Sequence, residues 1–239
     1  KWIFTAVILQ YSVMPFLSIL IVNLFNFSDE IALGFIILGA CPGGTASNVI
    51  AYICGANLPL SICCTFASTI MAVILTPLLI YLLSDENISI NTIGLIKSTF
   101  FIVFIPVLFG LFLKFIFKNW SQKYLKFFPF FSEIAIAFII AVIFAINFEY
   151  VFKISYLVVV GVIIHNLFGL FFSFQISKFL KYPTDVRKTL SIEVAMQNSG
   201  LGMTLALLHY TNMVALPAAI FSLWHNISSG VLVYFWKKK

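Results

Sequence analysis

The sequence predicts an all-α polytopic membrane protein, arranged as an inverted repeat around two crossing discontinuous helices. Three observations carry that expectation. Of 239 residues, 62% are hydrophobic and 9% charged, with 28 Phe and a mean hydropathy of +1.10, whereas soluble domains carry about 25% charged residues. The apolar residues fall into eight runs of bilayer-spanning length, which takes roughly twenty residues at helical rise; the short alternating segments of a β-barrel are not visible. Two of the runs are interrupted at their centres by residues that stop a helix.

In order, the runs are Trp2–Phe25, Ile31–Cys54, Pro59–Leu83, Thr92–Phe117, Phe128–Phe148, Ile154–Phe179, Thr189–Leu208 and Met213–Trp236. Short connections join them, as in a packed bundle, with no room for a soluble domain. The net charge of +6 is topological rather than a nucleic-acid footprint. Asp29-Glu30, Asp85-Glu86 and Glu149 fall on one side. All but Lys97 and Lys153 of the 14 Lys and Arg fall on the other, at Lys1, Lys114 to Lys126, Lys178 to Lys188 and Lys237 to Lys239. The positive-inside rule then places both ends in the cytoplasm. The four cysteines, Cys41, Cys54, Cys63 and Cys64, lack metal-ligand spacing and read as buried, inert thiols.

The second run carries Cys41-Pro42-Gly43-Gly44-Thr45-Ala46-Ser47-Asn48, and the seventh Glu193-Val194-Ala195-Met196-Gln197-Asn198-Ser199-Gly200. Proline removes a backbone donor and glycine relaxes the chain, so both helices should break. A break in lipid survives only where its backbone groups are buried in protein or line a wet cavity. Five crossings apart, the two broken spans run in opposite directions, as in the paired discontinuous helices of many secondary transporters. Residues 1–91 would form the first repeat, broken at 41–48. Residues 154–239 would form the second, broken at 193–202, with 92–153 between them. Two spans without upstream partners in this scheme imply two further spans before Lys1.

Glu193 is the strongest chemical signal. A carboxylate deep in a span costs about 2.5–3.5 kcal/mol, so a proton, a metal cation or a snorkelling pair with Arg187 must compensate it. Gln197 lies on the same face at i+4, beside carbonyls around Met196 that the break would free. Neutral oxygens with one carboxylate suit a hard monovalent cation. Ser47 and Asn48 stand at the other break, and Ser61 and Thr65 share one face of the third span. Each hydroxyl alone could equally bond back to its own helix. Gln10 reads either as a ligand or as an interhelical hydrogen bonder. The helix halves that follow the breaks present free amides and a positive dipole end to an anion, flanked by Thr45 and Asn198. His225-Asn226 and His165-Asn166 are polar pairs in apolar spans, where a histidine is commonly a satisfied hydrogen bonder. Glu133 could snorkel toward Lys126.

The two long motifs, in this order and with Trp224-His225-Asn226, resemble the bile acid:sodium symporter family over nearly the whole chain. The resemblance implies a ten-span fold, a core with two crossing broken helices beside a panel domain, of which this chain would hold the third span onward. It implies two sodium sites. One would use Ser47, Asn48, Ser61, Thr65 and Glu193. The other would use Gln10, Val194, Met196 and Gln197, again with Glu193, where Val194 and Met196 give carbonyls. It further implies substrate contacts at Thr45, Asn198, His225 and Asn226. The expected function is sodium-coupled symport of an organic anion, bile-acid-like or a small carboxylate, by alternating access. Proton coupling at Glu193, or an anion channel or receptor of the same fold, would use the same residues. No HExxH or nucleophile elbow supports an enzyme. The expected partners are the small anion and the lipid bilayer, with no nucleic acid; the sequence does not reveal an oligomeric state.

Overall fold

A computed structural model describes residues 1–85, 88–116, 128–146 and 156–236. The basic stretch Lys118 to Lys126, the acidic positions Glu86 and Glu149, Lys153, the terminal lysines and the side chain of Glu133 lie outside the described residues. Ten helices fill the described segments: α1 Trp2–Phe25, α2 Asp29–Ala40, α3 Ala46–Ile53, α4 Leu58–Leu83, α5 Thr92–Ile116, α6 Phe128–Ile146, α7 Tyr156–Phe179, α8 Thr184–Ala195, α9 Ser199–His209 and α10 Leu216–Trp236. Among them α1, α4, α5, α7 and α10 are each long and apolar enough to cross a membrane. The second span is the pair α2/α3 and the seventh is the pair α8/α9.

Both breaks are narrower than the motifs suggest. Ala46, Ser47 and Asn48 already belong to α3, and Glu193, Val194 and Ala195 complete α8, so the interruptions are Cys41–Thr45 and Met196–Asn198. The seventh span also begins earlier, at Thr184 rather than Thr189, which puts Arg187 and Lys188 inside the helix. Pro183 at its N-cap and Asp185 in its first turn are the reason: proline presets the helical φ and an acidic residue suits the positive end of the dipole.

At the crossover each break satisfies the other. The Gly44 N–H donates to Met196 O at 2.7 Å and the Asn198 N–H to Pro42 O at 2.8 Å, leaving Gly43 and Gln197 paired as one antiparallel bridge. Gly44 is required there, because a Cβ would stand 2.9 Å from Gln197 O. The carbonyls that end the first halves are met by side chains from other helices. Thr76 Oγ1 donates to Ala40 O at 2.6 Å, Gln10 Nε2 to Cys41 O at 2.9 Å and Asn166 Nδ2 to Ala195 O at 2.9 Å. In lipid these bonds replace the water that would solvate a broken helix.

Helices α1, α4, α7 and α10 frame the crossover. His165 Nε2 lies 3.1 Å from Met14 O and 3.0 Å from Ser18 Oγ, which itself donates to Phe35 O at 2.8 Å, so one imidazole ties α7 to α1 and, through Ser18, to α2. Trp224 Nε1 donates to Asn166 Oδ1 at 3.1 Å and joins α10 to the same set. Helices α5 and α6 pack on this body through few of their described side chains. Leu95, Thr99, Ile140 and Ile143 are buried, whereas Phe101, Phe112, Phe131 and Phe138 are exposed. Cys63 corrects an expectation: it is exposed on α4, while Cys41, Cys54 and Cys64 are buried. Its neighbour Cys64 takes the inward direction, and successive helical residues lie about 100° apart.

Candidate functional site

Glu193 closes the last turn of α8 and is 3% exposed. It does not reach the surface. Arg187, the snorkelling partner the sequence allows, instead gives its Nε–H to Tyr182 O. The carboxylate accepts hydroxyl protons from two helices. Ser47 Oγ donates to Oε1 at 2.6 Å, Ser61 Oγ also donates to Oε1, and Thr65 Oγ1 donates to Oε2 at 2.7 Å. Asn48 Oδ1 completes the ring, 2.9 Å from Ser61 Oγ and 3.3 Å from Thr65 Oγ1. The five residues expected for one cation site are thus brought together by α3, α4 and α8. Three facts of local structure cause this: the break lets α3 start at Ala46, Ser61 and Thr65 sit one turn apart on α4, and α8 stops soon after Glu193.

Four oxygens thus gather around one carboxylate, making six with its own two. Each hydroxyl carries acceptor lone pairs as well as a rotatable proton, so the same atoms could turn to a cation. Among the described residues there is no cluster of three or more His, Cys, Asp or Glu able to hold a metal. The donors gathered at Glu193 are hard oxygens.

The second expected set is assembled differently. Gln10 Nε2 donates to Gln197 Oε1 at 2.8 Å and Gln197 Nε2 to Val194 O at 3.2 Å. Both glutamines are buried, at 2% exposure each. Met196 O is not freed by the break, since it accepts the Gly44 N–H at the crossover; Cys41 O, unmarked in the sequence, joins the cluster through Gln10. Glu193 donates no oxygen to this network by any hydrogen bond seen, its carboxylate being turned to the hydroxyls.

Thr45, Asn198, His225 and Asn226 line one cavity of about 550 Å³ beside the crossover, walled on the far side by Ala137 and Ile140 of α6. Asn198 is committed: its Oδ1 caps α9 through the Leu201 N–H at 3.0 Å. Thr45 makes no such cap and its side chain is exposed to the cavity. Asn226 Nδ2 donates to Ser222 O at 2.7 Å, and His225 Nδ1 is buried without a hydrogen-bond partner. Gly44, Ser199 and Gly200 of the two break motifs line the same space, together with Ser222, which the sequence does not single out. Sequence reasoning also missed Thr76, because a lone hydroxyl in an apolar helix gives no hint of a partner 36 residues away.

The profile of the Sodium Bile acid symporter family matches residues 1–154, more than half of the chain. The chain belongs to that family. Family relatives extend the likeness past residue 154. An uncharacterized sodium-dependent transporter, YocS, of Bacillus subtilis (strain 168) is 38% identical over 98% of this chain and 73% of its own length. A probable chloroplastic sodium/metabolite cotransporter, BASS1, of Arabidopsis thaliana is 36% identical over 100% of this chain and 60% of its own. The BASS1 protein of Oryza sativa subsp. japonica is also 36% identical, over 96% of this chain and 57% of its own. The chain thus spans between about half and three quarters of these relatives. Family membership makes it an integral membrane transporter-family protein rather than an enzyme.

Proposed function

We propose that this chain carries the sodium-binding core of a symporter that couples sodium entry to uptake of a small organic anion by alternating access. The observation that carries the reading is the buried Glu193 carboxylate, facing hydroxyls and an amide oxygen rather than a basic side chain. Its hydrogen bonds come from three hydroxyl donors, the set an ionised carboxylate accepts, and a hard cation supplies the charge such a group needs when buried. Sodium at this pocket would tie α3, α4 and α8 together. The Gln10–Gln197 pair would serve a second ion by exchanging amide donors for amide oxygens. The relatives named for sodium dependence agree with this coupling.

The anion would sit in the 550 Å³ cavity, where α3 and α9 begin and their dipoles favour negative charge. Thr45, His225 and Asn226 would fix its polar groups. A cavity of this size sits within the range of small-molecule sites, about 300–1,000 Å³. Residues 92–153 would be the panel against which the core moves. Among the described side chains of α5 and α6 the buried ones, Leu95, Thr99, Ile140 and Ile143, lie toward the acidic side, which would suit a state closed outside and open inside with both ends cytoplasmic, as the charge pattern predicts.

Uptake of labelled organic acids into proteoliposomes tests the reading, with sodium replaced by choline at fixed pH. Sodium dependence with trans-stimulation by unlabelled substrate is the expected result. Uptake that follows a proton gradient in choline would move the coupling from sodium to protons; conductance without exchange would make the protein a channel.

A further inference from the structure

The first turns of α8 do more than lead up to Glu193: they hold the turn between α3 and α4. Thr189 Oγ1 accepts the Asn57 N–H at 2.8 Å while donating to Asp185 O at 2.8 Å. Asp185 Oδ2 accepts from Asn57 Nδ2 at 3.1 Å, and Asn57 Oδ1 starts α4 by capping the Leu60 N–H at 3.1 Å. Next to them, Lys188 Nζ donates to Cys54 O at 3.3 Å and to Trp236 O at 3.1 Å, 5.5 Å from the Trp236 ring centre. Cys54 caps the C-terminus of α3 and Trp236 is the last residue of α10. One ammonium therefore faces the negative ends of two helices. Ala51, Cys54, Ile192 and Met196 form one buried apolar cluster shared by α3 and the seventh span, with Leu232 and Trp236 packed against it.

These contacts touch none of the oxygens around Glu193, yet they join the three segments that supply them. Lys188 precedes Glu193 by five residues, roughly 7–8 Å along the helix. If the α3–α4 turn parted from α8 on the basic side, the bonds broken would be those of Asn57 and of Cys54. We propose that Asp185, Lys188 and Thr189 are positioning residues, a clasp that sets the width of the Glu193 pocket and opens to release its cation toward the basic side. The proposal rests on the sodium reading of that pocket.

Cys54 reports on the clasp, being fully buried beneath Lys188. The experiment takes purified protein in sodium or in matched choline, follows alkylation of Cys54 by site-resolved mass spectrometry, and measures the sodium concentration for half-maximal thermal shift. In the unmodified chain sodium should slow Cys54 alkylation at least fivefold. Lys188→Gln should erase that protection and raise the half-maximal sodium concentration at least fivefold, Thr189→Val should do so more weakly, and Lys188→Arg should restore both. A purely structural role would lower melting in sodium and choline alike and leave the half-maximal sodium unchanged. That result, in either Lys188→Gln or Thr189→Val, overturns the clasp while sodium binding stands. An unmodified chain whose melting ignores sodium overturns the sodium reading and the clasp with it.

Discussion

The two breaks of the crossover solve the same backbone problem with different chemistry. After α2, the exposed carbonyls of Ala40 and Cys41 are taken by Thr76 and Gln10; after α8, those of Ala195 and Met196 are taken by Asn166 and Gly44. The halves that follow diverge. Asn198 caps α9 with its own side chain, whereas Thr45 leaves α3 without a side-chain cap and faces the cavity. Charge diverges as well: the α8 side holds Glu193 and the α3 side answers with Ser47 and Asn48, all neutral. One acidic break facing one neutral break leaves a single negative side chain at the crossover.

Removing the charge should have the largest effect. Glu193→Gln is expected to abolish the sodium-dependent thermal shift and lower sodium-driven uptake at least 100-fold, with folded protein still recovered from membranes. Retained sodium dependence would mean that the two breaks differ for some other reason. Gly44→Ala attacks the seam instead. Its Cβ would press on Gln197 O, and overpacking against backbone costs about 1–3 kcal/mol, read as a lower melting temperature in sodium and choline alike.

A smaller effect separates the glutamines from the outlying acid. Gln197→Ala should raise the half-maximal sodium concentration about tenfold, the loss of roughly 1.4 kcal/mol expected for one hydrogen-bonded ligand. Glu133→Ala should leave it unchanged; equal shifts would remove the reason for assigning the coupling to α8. Smallest is the contrast of caps. Asn198→Ala should cost about 1 kcal/mol of stability, while Thr45→Ala should cost nothing measurable in stability and act on substrate affinity alone. Equal destabilisation by both would show that α3 and α9 start alike.

Much of this arrangement was legible in the sequence because it depends on local rules. Pro42-Gly43-Gly44 and Asn198-Ser199-Gly200 announce breaks wherever they fall in an apolar run, and Glu193 is conspicuous since charge in a span is costly. The start of α8 was misread because Thr184 to Lys188 is polar and resembles a loop, although Pro183 and Asp185 carry a helix-start signal. What stayed hidden is pairing over distance. Nothing near Thr76 shows that it faces Ala40, and nothing near Asn57 shows that it faces Asp185 and Thr189. Which of two adjacent thiols on α4 turns inward, Cys64 rather than Cys63, depends on the neighbours and not on the run itself.

The seam between Gly43, Gly44 and Gln197 is stitched with main-chain atoms alone. Alanine at Gly44 crowds such a joint but removes no bond from it, since every replacement still carries the amide and the carbonyl. Only an edit to the polymer itself, an ester in place of the peptide at Gly44 or at Asn198, would unpick one stitch and show whether the two breaks travel as a single piece.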